Sequence, residues 1–142
     1  MDSAFILDSI RKKHSESAIV PELTISDLDW LELHEPGHRR VKERRIDALM
    51  FQSFQRTAIE VKVSEADFKR DTWAKRRPWA RVVHRFVYAV PHDLKVTAPH
   101  GCGLWRVAPD GQIAVSKRAR VQKYPEHLPQ EVILRLAYRA AR

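Results

Sequence analysis

Residues 44–71 read RRIDALMFQSFQRTAIEVKVSEADFKRD and hold two apolar runs of strand character, 45–51 and 57–63, joined by a polar turn near QSFQR. Successive side chains of a strand face opposite ways, so residues two apart share a face. Ile59, Val61 and Val63 are therefore expected to point together into a core, and Glu60 and Lys62 together to the other side. In the first run Ile46 and Ala48 alternate with Asp47 and Leu49. If the two runs pair as neighbours, Asp47 stands beside Glu60, with Lys62 one step along. Acids in strand interiors are costly unless something pairs with them.

Outward from this stretch, Ser64 is placed to cap a helix starting at Glu65, with Asp67 at its third position as a shortened capping box. Pro78 is expected to kink or divide that helix. RFVYAVP, 85–91, is nearly all apolar and reads as a strand buried on both faces. CGLWRVAPDGQIAVSKRA, 102–119, reads as a hairpin with Asp110-Gly111 as a two-residue turn. LPQEVILRLAYRAAR, 128–142, reads as a terminal helix turning Val132, Leu136, Ile133 and Tyr138 to the core. Upstream, residues 3–14 form a short helix with Phe5, Ile6, Leu7 and Ile10 on one face. AIVPELTI, 18–25, is a strand that Pro21 restricts to an edge, an end or a bulge. Residues 26–44, broken by Pro36-Gly37, read as an insertion or a mobile basic loop. The order is that of an α/β fold, a central mixed sheet flanked by helices, in a single domain spanning 1–142.

The 142 residues are 44% apolar, enough for one core without cross-links. One cysteine, Cys102, allows no internal disulfide, which points to a reducing cytoplasm. No apolar run is long enough for a membrane span. Lys and Arg number 26 against 18 acids, a formal charge of +8. Such an excess suits a polyanionic partner, DNA first, because each phosphate contact releases counterions.

The Asp47, Glu60, Lys62 group suits a hard divalent cation. Two carboxylates and the Val61 carbonyl provide oxygen ligands, and water and a phosphate complete an octahedron, which is the usual manner of Mg²⁺. A lysine beside them would steady developing negative charge or hold an attacking water. By spacing alone Glu-x-Lys is a weak motif. An exposed sheet face with an ordinary ion pair, worth about 0–1 kcal/mol, fits it equally.

The wording around the cluster adds to this. Asp47 followed by Glu60-Val61-Lys62 on consecutive strands resembles the PD-(D/E)XK nuclease superfamily. RRIDALMF, IEVKVSEADFKRD, HRFVYAVP and CGLWRVAPDG follow in the order and approximate spacing of the MmcB-like DNA repair family, a similarity covering roughly residues 18–116. The resemblance implies a restriction-endonuclease-like core and a DNA nuclease dependent on Mg²⁺, with Mn²⁺ able to substitute, acting in DNA repair, recombination or phage DNA processing. Asp47 and Glu60 would be metal ligands and Lys62 the catalytic lysine. Asp67 matches the family's acid after the motif, as a further site acid or only a helix cap. Glu22 matches a glutamate of the first strand, near the metal or merely solvated. Ile46 replaces the superfamily's proline, and no glutamine follows in the next helix, where Lys75, Arg76 or Arg77 would have to stand in. Two rival functions remain open on the same fold: a non-catalytic module that binds nucleic acid or docks to a repair complex, and a dimeric Holliday-junction-type resolvase.

Arg39, Arg40, Lys42, Arg44 and Arg45 on one side, and Lys69, Arg70, Lys75, Arg76, Arg77 and Arg81 on the other, are candidates to hold DNA phosphates. Trp73 and Trp79 have the chemistry to stack on bases, with Trp79 favoured for the core. The seven histidines are scattered and a lone cysteine gives no structural zinc set. His34 and His38 are separated by Pro36-Gly37, which prevents presentation on one helix face.

Overall fold

The computed structural model describes residues 1–28 and 42–142. Six strands form one mixed sheet in simple chain order: β1 (Ala18–Asp27), β2 (Lys42–Gln52), β3 (Gln55–Val61), β4 (Arg85–Pro91), β5 (Gly103–Val107) and β6 (Ile113–Lys117). The β1/β2, β2/β3 and β5/β6 pairs are antiparallel, while β3/β4 and β4/β5 are parallel. Among the described residues four helices flank the sheet: α1 (Ser3–Lys13), α2 (Glu65–Lys69), α3 (Trp73–Ala80) and α4 (Gln130–Ala140). The α/β class with a mixed central sheet is thus the one expected. Among the described residues no helix is long and apolar enough to cross a membrane.

Two apolar layers hold the sheet between its helices. On one face Ile6 and Ile10 of α1 pack against Ala48, Met50, Ile59, Val61, Ala89 and Val107. On the other, Trp79 of α3 and Val132 of α4 join Leu23, Ile25, Ile46, Leu49, Tyr88 and Leu104. Strand β4 sits between the parallel neighbours and is buried from Phe86 to Pro91, as a run without polar alternation requires.

Several local expectations are corrected. Ile46 and Ala48 do not share a face: Ile46 lies in the α3/α4 layer and Ala48 in the α1 layer. The alternation breaks at Asp47, opposite Glu22, whose φ of +53° interrupts β1 between Pro21 and Leu23. Val63 lies beyond the end of β3 and is 40% exposed rather than in the core. The helix after the motif is divided, but at Arg70–Thr72 and not at Pro78. Ser64 caps α2 through the Asp67 N–H, and Thr72 caps α3 through the Lys75 N–H. Pro78 falls near the end of the eight-residue α3 and is buried there. The β5/β6 hairpin has a three-residue loop: Ala108 and Gln112 form the closing pair, and Gly111, at φ +87°, takes the left-handed position. Residues 26–27 and 42–44 belong to β1 and β2. Residues 29–41, with His34, His38, Arg39 and Arg40, lie outside the described residues. Phe5, Ile133 and Tyr138 are exposed, because the buried stripes of α1 and α4 are narrower than their apolar content.

The helix α4 does more than cover a core. Its Glu131, Arg135 and Arg139 run along the free edge of β1. Glu131 accepts the Ser26 N–H at 2.8 Å, Arg135 donates to the Thr24 carbonyl at 2.8 Å, and Arg139 donates to the Glu22 carbonyl at 2.6 Å and also to that of Pro21. Four residues of helix rise ~6 Å and two residues of strand ~6.7 Å, so the two spacings match rung for rung.

Candidate active site

The site forms where β2 and β3 part. Their antiparallel pairing ends at Ala48 and Ile59. Beyond it β2 continues against β1, with Ile46 opposite Leu23, while β3 continues against β4, with Glu60 opposite Tyr88 and Val61 opposite Ala89. Parting strands leave backbone groups on their inner edges without a ladder, and buried N–H groups need acceptors. Two carboxylates provide them. Asp47 Oδ2 accepts the Val61 N–H at 2.7 Å, and Glu60 Oε1 accepts the Asp47 N–H at 3.3 Å. Each acid is thus locked by the other strand, with one oxygen committed and the other left for further partners. The N–H and C=O of one strand residue leave by the same edge, so the Val61 carbonyl is directed into the same gap.

Lys62 follows immediately. Its N–H is held by the Ala89 carbonyl at 3.0 Å, and its Nζ stands 3.7 Å from Glu60 Oε2, both side chains being about 15% exposed. The sequence thus brings Asp47, Glu60 and Lys62 together. Burial is the main reason that both acids titrate high. Glu60 is pushed up to about 8 by desolvation, then by the charge of Asp47, with Lys62 opposing and Asp71 adding to the rise. Asp47 is raised by desolvation, against the Val61 N–H and the positive charges of Lys62 and Arg45.

Glu22 is exposed, and its carbonyl is taken by Arg139; Asp67 caps nothing itself but receives the Ser64 cap at its N–H and an Arg70 contact at 3.4 Å. Among the described residues no group of three or more His, Cys, Asp or Glu gathers in ligating geometry, while the charge of Asp67 is near enough to add to the rise of the Asp47 carboxyl.

Two residues that the sequence did not single out complete the surroundings. The Tyr88 hydroxyl donates to Asp71 Oδ2, and Arg76 donates to the Tyr88 oxygen at 3.1 Å while lying 4.0 Å from Asp71. Burial and the Asp71 carboxylate push the Tyr88 hydroxyl far up, so it remains a donor. Their signals were slight: Asp71 closes the IEVKVSEADFKRD stretch, and Tyr88 is the one hydroxyl in an apolar strand.

Glu60, Lys62, Asp71 and Arg76 line a cavity of about 220 Å³. Arg44, Arg45 and Lys75 of the expected phosphate-binding set line it too. Arg44 also pairs with the buried Asp27 at 3.4 Å, as Arg77 does at 3.3 Å, while Lys69 pairs with Glu65 at 3.0 Å and Arg81 lies 3.4 Å from Glu126. Lys42, Arg45 and Arg70 are exposed. Trp79 is core, its indole N–H donating to the Arg44 carbonyl at 2.9 Å, whereas Trp73 is 59% exposed.

No family model matches the chain, and no curated protein matches it. Among solved structures it is similar to the SPO1766 protein of unknown function from Silicibacter pomeroyi, at 20% identity and a TM-score of 0.64, over 96% of this chain and 84% of that one. That likeness extends to the fold alone. A second structure, SSO0001, aligns over 93% of this chain and 52% of that one at 18% identity, but its TM-score of 0.35 is too low to bear on the fold.

Proposed function

We propose that the protein is a metal-dependent deoxyribonuclease with a restriction-endonuclease-like core of the PD-(D/E)XK kind. The observation that carries this reading is the pair of carboxylates locked across the parting of β2 and β3, with Lys62 against one of them. A structural ion pair has no need of two adjacent buried acids. Desolvation raises both toward the neutral form, and the charge of Asp47 raises Glu60 further, a cost that a bound cation would offset.

The donor set fits Mg²⁺ or Mn²⁺. Asp47 Oδ1 and Glu60 Oε2 are not committed to backbone N–H groups, and the Val61 carbonyl faces the gap; one or two carboxylates with phosphate oxygens and water are what Mg²⁺ takes. When bound, such an ion polarises a phosphoryl oxygen and acidifies water. Asp47 and Glu60 hold that charge at a fixed point of the sheet. Lys62 is close enough to Glu60 to orient a water and to meet negative charge developing on phosphorus. Arg45, Lys75 and Arg76 at the cavity rim position the DNA backbone without reading bases.

The test is cleavage of labelled single-stranded, duplex and branched DNA with Mg²⁺ or Mn²⁺, comparing the wild type with Lys62→Ala and Glu60→Gln. Metal-dependent cutting by the wild type, reduced at least roughly a hundredfold in Lys62→Ala, is expected. Binding of DNA without cutting, by all three proteins, would assign the fold to a docking module instead.

A further inference from the structure

A second, larger cavity of about 490 Å³ adjoins the first, and Arg76 and Phe86 line both. Its floor is apolar, built from Val83, Phe86 and Cys102. Its walls bring in Arg85, Arg120 and Lys123, and no acidic side chain lines it among the described residues. At its mouth lies Trp73, with the Arg76 guanidinium over the ring at 5.3 Å from the centroid. The volume is within the range of about 300–1,000 Å³ typical of sites for small ligands.

We propose that this cavity holds an unpaired nucleotide of a DNA strand whose backbone continues into the Asp47–Glu60 site, so that the substrate carries a single-stranded segment. An apolar floor with an exposed indole takes the face of a base, while a cationic wall free of acids takes its phosphates; together these are the parts of a single-strand site. A base within a duplex has both faces covered by its neighbours and cannot enter such a space without being unstacked. Arg76 ties the two cavities together: it reaches the Tyr88 hydroxyl and Asp71 beside Glu60, and its guanidinium covers the Trp73 ring. A strand seated on Trp73 is thereby aligned with the carboxylate pair. The proposal rests on the nuclease reading for the fate of the strand but not for its binding.

The experiment is anisotropy of an end-labelled oligothymidylate and of a blunt duplex of equal length, both in EDTA, followed by cleavage of a duplex with splayed ends in Mg²⁺. The wild type is expected to prefer the single strand. Trp73→Ala should weaken single-strand binding roughly tenfold, the scale of one lost base stack, with its thermal midpoint unchanged because the side chain is exposed. Trp73→Phe should retain most of the affinity, and the double change Arg120→Ala, Lys123→Ala should lose it. Equal binding by the wild type and Trp73→Ala would overturn the proposal. So would equal losses on single strand and duplex, or competition by polyglutamate as effective as by oligothymidylate, which would point to an acidic protein segment. The expected binding pattern with no cleavage leaves the strand cavity standing and removes the nuclease. Cleavage indifferent to Trp73→Ala does the reverse.

Discussion

Ionising Glu60 in the folded protein means placing a charge beside Asp47 and Asp71 in a seam poor in water. Its carboxyl keeps its proton up to about pH 8, whereas the unfolded chain releases it near the ordinary value of 4.5. Between these values the folded state binds the extra proton. The contribution is therefore full below the unfolded value and is lost as pH rises through the folded one. In EDTA, urea unfolding should show stability falling between about pH 5 and 8, by on the order of a few kcal/mol. Glu60→Gln should flatten that slope and also abolish stabilisation by Mg²⁺; a Mg²⁺ shift surviving in this variant would remove Glu60 from the site. Glu60 and Lys62 were legible because their two-residue period is a local property, and Asp47 because consecutive strands joined by a short turn pair as neighbours; the break of alternation at Asp47 was not legible. Asp71 and Tyr88 were not, since they meet only through the parallel pairing of β3 with β4 and the turn between α2 and α3.

The hairpin that carries Asp47 and Glu60 is closed at its other end by Ser53-Phe54, both with positive φ, +51° and +63°. A two-residue turn of this hand matches the twist of the strands but costs a side-chain-bearing residue about 1–2 kcal/mol. Phe54 is fully exposed, so no packing offsets the strain. Phe54→Gly should therefore raise the unfolding free energy by about 1 kcal/mol without altering the site, as denaturant titration would report. The sequence announced a turn near QSFQR but not its type, because neither residue is a usual left-handed one. Ser64 as a cap was readable from its spacing to Asp67. The stop before Thr72 was hidden by Pro78, whose late position in α3 costs at most the bond to the Ala74 carbonyl.

The sheet as a whole has two rims, and they are treated differently. β6 is short and largely exposed. β1 is long, and its outward backbone groups are occupied by Glu131, Arg135 and Arg139. The apolar residues of α4 suggested a helix defined by its core stripe. Only Val132 is fully buried and Leu136 partly so, while the polar stripe meets the strand edge, a role that hydrophobic periodicity cannot reveal. Arg135→Ala with Arg139→Ala should expose the Thr24 and Glu22 carbonyls and cause self-association that grows with concentration, measurable by sedimentation velocity; a double variant that stays monodisperse like the wild type would deny the helix this part. The helix thus acts as a chaperone built into its own chain. Cutting the protein before Gln130 would spare the carboxylate pair and leave an adhesive border, so that a fragment made to isolate the chemistry would tend to end in an aggregate.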